Sequence, residues 1–332
     1  MPDFDLRQPA AHGGPVANAG FRTVPEDFRV NEDLGFEPEG DGEHWLLNVR
    51  KRGDNTPWVA GQLARCAGVP VRDVGYCGLK DRHAVTTQWF SIHQPKGAAP
   101  DWPAVNSESI QLLSIARHPR KLRRGQHRRN EFVIRLRDVT PVSGQTRDAL
   151  NERLERVKAF GVPNYFGEQR FGRGGQNLVQ AHHWLVDGQT IRQRQQRSLV
   201  MSAARAWLFN AVLAERVREG TWREPLSGDP ASSPSGPLWG RGRPLSSDAC
   251  AALEARAMEP WARWCEGLEH VGLQQERRPL VLKPDDLHWR WDDNDLELVF
   301  SLPPGTFATA VLAELAHLKV AVPKAASGVA ML

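Results

Sequence analysis

The chain has 332 residues, 40% of them hydrophobic, enough for one large domain or two ordinary ones with a sizeable buried core. Its 43 basic and 39 acidic residues leave a formal charge of +4, only a weak hint of a polyanionic partner, so local clustering must carry any such argument. The opening MPDFDLRQPAAHGGP lacks an apolar signal core and no stretch approaches eighteen uninterrupted apolar residues, so neither an export signal nor a membrane span is expected.

Residues 26–34 (EDFRVNEDL) and 44–50 (HWLLNVR) read as two short strands around the turn-rich FEPEGDGE. Thr56-Pro57 then reads as an N-cap followed by Pro at the first helical position. Val59, Leu63 and Cys66 supply one apolar face before Gly68 and Pro70 end the segment. From Ala84 to Phe90, β-branched and aromatic residues alternate as in a strand, so the preceding GYCGLKDRH is a loop that enters it. Residues 110–117 and 131–139 look like two further strands, the second with Phe132, Ile134 and Leu136 on one side.

The character then changes. Leu150, Leu154, Val157 and Phe160 recur at helical spacing and stop at Gly161-Val162-Pro163. Residues 178–219 are expected to continue helical, with Ser198 as a cap, and 222–247 is too rich in Pro, Gly and Ser for a regular element. A hairpin follows, 288–291 with 296–300, and then a closing helix over TFATAVLAELAHL. A β-rich start, a helical middle and a β-rich finish predict an α+β protein in which a sheet-containing domain is interrupted by a helical one.

Few cofactor motifs survive inspection. Cys66, Cys77, Cys250 and Cys265 form no C-x-x-C pair, so reduced thiols are expected rather than a zinc site or disulfide framework. His182-His183 lies in an amphipathic helix without H-E-x-x-H context. FGRGGQN lacks the third glycine of a dinucleotide fingerprint and no P-loop is present. NYFG (164–167) and Trp207-Leu208-Phe209 are expected to be core.

Charge concentrates in HPRKLRRGQHRRNEFVIRLR, 118–137, where Arg120, Lys121, Arg123, Arg124, Arg128, Arg129, Arg135 and Arg137 meet a single acid, Glu131. A basic run is usually a solvated face. Here it is rich in arginine, whose fork suits phosphates, and it leads straight into Asn130 and Phe132, an amide and a ring of the kind that hold a splayed-out base. RNA is the expected partner, with Arg120, Lys121, Arg123, Arg124, Arg128 and Arg129 on its backbone. The other candidate is Lys80-Asp81-Arg82. As a surface ion cluster it would be worth about 0–1 kcal/mol. Set against a nucleotide, the flanking cations favour the carboxylate form of Asp81, and a carboxylate is a nucleophile that needs no activating base.

GYCGLKDRHAVTTQWFS closely resembles the signature of the TruD-type tRNA pseudouridine synthases. PEDFRVNE, GEHWLLNVRKRGDNT, RRNEF, GVPNYFGEQRFG, GPLWGRG, QERRPL and LPPGTFATAVLAEL resemble further blocks of that family in the same order, and together they cover most of the chain. One departure is Cys77, where the family pattern has a smaller residue such as Ala. The resemblance implies a pseudouridine synthase mixed sheet formed by 1–155 and 283–332, with an inserted, mainly helical TRUD domain at 156–282. It implies isomerisation of uridine 13 of tRNA without cofactor or metal. Asp81 would be the nucleophile and Lys80 its support, Asn130 would bind the uracil, and Phe28 and Phe307 would line its pocket. Reduced thiols make a cytoplasmic protein the expectation, and a monomer is expected, since no exposed apolar stripe asks for a partner. The alternative expectation is a non-catalytic tRNA-binding protein or chaperone with the same basic cluster.

Overall fold

The computed structural model describes residues 4–320, which divide into two compact units. One contains Ala17–Gln145 and Pro284–Gly305 together with 317–320, and its centre is a ten-stranded sheet. The sheet runs Asp285–Asp292, Asp295–Leu302, Arg129–Pro141, Phe28–Asp33, Val85–His93, His44–Arg52, Ile110–His118. Neighbours on that path are antiparallel except Phe28–Asp33 with Val85–His93, which is parallel. A parallel pair needs a crossover. Here strand His44–Arg52 and helix Thr56–Ala67 supply it.

That helix forms because its apolar residues fall on one face: Val59, Ala60, Leu63 and Ala64 are buried against Leu47, Val49, Phe90 and Ile92 of the sheet. Gly68 ends it in the left-handed conformation, φ 66°, with its N–H bonded to the last turn. The helix starts one residue earlier than Thr56 as cap would give: Asn55 is the N-cap and Thr56 is already helical, which frees the Thr56 hydroxyl for another task.

The second unit contains residues 4–16, Thr146–Lys283 and Thr306–Ala316. Its core surrounds helix Arg194–Arg218, where Val200, Ala203, Leu208, Phe209 and Leu213 meet Phe171, Trp264 and Leu268. Residues 164–167 and 207–209 contribute to this cluster, Phe166, Leu208 and Phe209 from within it and Tyr165 and Trp207 packed against it.

Four local expectations need correction. Residues 178–219 are two helices, Gln176–Leu185 and Arg194–Arg218, separated by a segment that turns at Gly188 with φ 72°. Ser198 lies inside the second and Gln193 is its N-cap. The Pro/Gly/Ser stretch 222–247 contains a strand, Ser235–Leu238, paired antiparallel with Glu276–Pro279. The closing helix is short, Ala308–Ala313, and Ala316–Val320 is a strand beside Ala17–Phe21, itself missed in the sequence. In the last two cases pairing with a distant segment overrides local composition.

Candidate active site

The motif loop is pinned along its backbone. Gln88 Nε2 donates to the Gly78 carbonyl at 2.6 Å, and Gln88 Oε1 accepts from the Thr56 hydroxyl at 3.0 Å. The same hydroxyl accepts from the Lys80 N–H at 3.0 Å. Buried Lys51 donates to the carbonyls of Asp54 and Asp81 at 2.8 and 3.0 Å. Burial pushes this ammonium down to about 8, while Asp81 and Asp54 oppose the shift. The loop therefore rests on three side chains that face it from helix and sheet.

From this support Asp81 extends to solvent. Its side chain is 49% exposed, and Oδ2 accepts from Arg22 Nη2 at 2.9 Å. No described residue donates to Oδ1. Arg22 sits at φ 56° after strand Ala17–Phe21, and its guanidinium carbon lies 4.1 Å from the Phe28 ring centroid and 4.9 Å from that of Phe21. Two aromatic faces thus orient the cation that anchors one oxygen of Asp81.

Lys80 turns the other way. Its Nζ lies 2.6 Å from Glu32 Oε2 and donates to Asn130 Oδ1 at 2.6 Å. It makes no contact with the Asp81 carboxylate, whose cation is Arg22. Asn130 Nδ2 in turn donates to His127 Nε2 at 3.0 Å. That geometry requires a neutral imidazole. Burial, reinforced by the Lys80 charge, pushes His127 down to about 4. Both ends of the Asn130 amide are thereby fixed, with one N–H left for a ligand. Glu32 Oε1 accepts from the Trp89 N–H at 3.1 Å, and burial pushes the Glu32 carboxyl up against the opposing pull of Lys80.

The motif and the basic cluster, about fifty residues apart, are joined by backbone: Gly125 N–H donates to the Cys77 carbonyl at 2.7 Å and Leu122 N–H to Ser91 Oγ at 2.9 Å. Gly75 permits this approach, since a Cβ there would lie 2.5 Å from the Leu122 carbonyl oxygen and 2.6 Å from Ser91 Oγ. Within the cluster much charge is spent internally. Arg128 and Arg129 pair with Asp33, Arg120 with Glu39, and Lys121 donates to the Arg72 carbonyl. Arg135 and Arg137 pair with acids at 292, 295 and 27. Arg123 and Arg124 are exposed and have no ion pair among the described residues.

Phe28 and Phe132 are both buried, edge to face with centroids 5.9 Å apart, and Phe132 stacks on Phe300 at 5.5 Å. Phe307 belongs to the helical unit, where it lies 6.1 Å from Phe166. None of the four cysteines is in a disulfide, and burial pushes the thiols of Cys77, Cys250 and Cys265 up to about 12. His182 accepts from the Trp264 indole and His183 pairs with Asp187. Among the described residues no group of three or more His, Cys, Asp or Glu could hold a metal, and no helix is long and apolar enough to cross a membrane.

Sequence reasoning missed Arg22, Glu32, Lys51 and His127. Glu32 carried a usable signal, because in Phe28–Asp33 it occupies the inward register of Phe28 and Val30. A charge at such a position asks for a buried partner.

A crystal structure from Methanosarcina mazei, presented as a candidate tRNA pseudouridine synthase D (TruD), superposes with a TM-score of 0.71 over 93% of this chain and 96% of its own, at 19% identity. The fold is accordingly that of a pseudouridine synthase, with a mixed sheet and a helical unit. The family profile described as tRNA pseudouridine synthase D (TruD) matches residues 12–190. The tRNA pseudouridine synthase D of Cellvibrio japonicus is 53% identical over 320 residues, 95% of this chain and 94% of the relative. That of Aeromonas hydrophila is 46% identical over 92% of both. The chain belongs to the TruD family of tRNA pseudouridine synthases.

Proposed function

We propose that the protein isomerises uridine to pseudouridine in tRNA, at position 13 in the D-stem region, with Asp81 as nucleophile. One observation carries the assignment to Asp81: its carboxylate has one oxygen held by Arg22 and the other presented to solvent from a loop pinned by Thr56, Gln88 and Lys51. A carboxylate already held in place loses little freedom on reaching the transition state and is suited to attack.

The target uridine leaves its stack at a cost of a few kcal/mol, offset by contacts in the site. Asp81 assists cleavage of the C1′–N1 bond, whose electron pair leaves with the uracil. The freed uracil turns, C5 bonds to C1′ as Asp81 is released, the C5 proton is lost and N1 takes up a proton. Asn130, oriented by Lys80 and His127, has an N–H to offer a uracil oxygen. Lys80 acts by positioning Asn130 and the motif loop and by neutralising buried Glu32. By the family resemblance Phe28 and Phe307 are uracil-pocket residues and Phe132 is a further substrate contact, and Arg120, Lys121, Arg123, Arg124, Arg128 and Arg129 meet the phosphates. The sheet unit is the catalytic domain and the helical unit the inserted TRUD domain. The family resemblance brings with it a reaction without cofactor or metal; a monomer in the cytoplasm is the accompanying reading of the sequence.

Tritium release from tRNA carrying [5-³H]uridine, without added cofactor, tests the reading. Release by wild type and none by Asp81→Asn is expected. Equal release by both removes Asp81 from the chemistry; tRNA binding without release by either points to a non-catalytic tRNA-binding protein or chaperone.

A further inference from the structure

Within the helical unit, cations gather where helix Gln176–Leu185 gives way to helix Arg194–Arg218. Arg192, Arg194 and Arg197 are exposed and have no ion pair among the described residues. Asp187 is the single acid in 176–197, and it already pairs with His183 at 2.8 Å. A basic run of this kind is usually a solvated face. This one borders a groove of about 400 Å³, within the range of small-ligand sites, and Arg192 lines it.

The groove has an aromatic wall and a coupled pair of amides. Trp184 is half-buried and packed against the core of the unit, and the Arg197 guanidinium carbon lies 5.2 Å from its ring centroid. Gln180 and Gln196 line the same groove and are tied to each other, Gln196 Nε2 donating to Gln180 Oε1 at 2.8 Å. The bond orients both side chains and leaves Gln196 Oε1 and Gln180 Nε2 without a further hydrogen bond among the described residues. An acceptor and a donor group thus remain on neighbouring amides. A nucleobase edge carries the complementary groups, and an indole bearing a guanidinium is a platform on which a base stacks.

We propose that this groove binds an unpaired nucleotide of the tRNA, its base against Trp184 and the Gln180–Gln196 pair and its flanking phosphates on Arg192 and Arg194. The inference rests on the tRNA reading above. A single-stranded nucleotide combines a flat ring, a donor and acceptor edge and negative charge on either side. An acidic peptide would satisfy the arginines but has no flat edge for the amide pair. A duplex would satisfy them through its backbone and leave the amides and the indole uncontacted.

The test is tRNA binding by the full chain across a sodium chloride series, for wild type, Arg192→Gln/Arg194→Gln, Gln180→Ala/Gln196→Ala, Trp184→Ala and Trp184→Phe, with circular-dichroism melts of each. The arginine variant should lower the slope of log K against log salt by about 1–2. The amide variant and Trp184→Ala should each weaken affinity about 10-fold with the slope unchanged, and Trp184→Phe by no more than about threefold. Should Trp184→Ala fail to fold, the amide variant decides, because alanine is favoured at both of its helical positions. A folded amide variant that binds as tightly as wild type would overturn the site. A loss confined to the arginine variant would show a backbone contact with no bound base, and overturns it equally. Tritium release by wild type judges the enzyme reading separately: release, with binding untouched by all of these variants, removes the site and leaves that reading standing. Wild type that binds no tRNA would refute both.

Discussion

Lys80 Nζ and Glu32 Oε2 lie 2.6 Å apart, with side chains only 6% and 0% exposed, directly behind the loop that carries Asp81. Such a pair is weak as a source of stability, because desolvation offsets much of its attraction, but removing one partner strands the other charge. Lys80→Met should destabilise the protein by about 3–5 kcal/mol, and the added change Glu32→Leu should restore much of it. Chemical denaturation of the single and double variants checks this. If the double variant is no more stable than Lys80→Met, the buried charge is not the cause.

Asp81→Asn preserves shape and the pinned backbone while removing the proposed nucleophile. Single-turnover release should fall roughly 10³-fold or more, with tRNA affinity within about twofold of wild type. A comparable loss in affinity would instead assign Asp81 to binding.

Arg22 touches Oδ2 and no part of the reaction beyond it, so it is a positioning residue. Arg22→Met should lower kcat roughly 10²-fold at nearly constant KM, since a misplaced nucleophile reacts slowly with substrate that still binds. Arg22→Lys should recover part of the loss. A change in KM alone would contradict this role.

His127 links stability to acid. Its folded value near 4 lies below the ordinary 6.5, so the folded state holds the neutral ring and the unfolded state takes up a proton first. Stability is therefore unaffected by this group above pH 6.5, falls as the pH drops from 6.5 to 4, and levels below that. With partial solvent screening the effect is on the order of 2 kcal/mol. Melting curves of wild type and His127→Gln over pH 4–7 should converge toward low pH. Parallel curves across that range would refute the linkage.

In the basic cluster, Arg123 and Arg124 have no ion pair among the described residues, whereas Arg128 is already paired with Asp33. Arg123→Gln or Arg124→Gln should lower the salt slope of tRNA binding by about 1, and Arg128→Gln by less. Equal losses at all three positions would show that the internal pair opens on binding.

Local sequence was enough for what depends on neighbouring residues. The alternating strand entered from GYCGLKD, the helix stop at Gly68 and the arginine-rich turn were legible because periodicity, turn residues and charge runs are properties of short segments. The family motifs extended that reading over most of the chain.

Tertiary structure decided which charges meet. Arg22 reaches Asp81 across 59 positions and Lys80 reaches Asn130 across 50, pairings that no local spacing encodes. Strand Ser235–Leu238 exists because Glu276–Pro279 pairs with it, and Ala316–Val320 leaves the helical pattern because Ala17–Phe21 offers a sheet edge. Side-chain identity sets what each group can do, but hydrogen-bond satisfaction and desolvation, which depend on distant segments, select its partner.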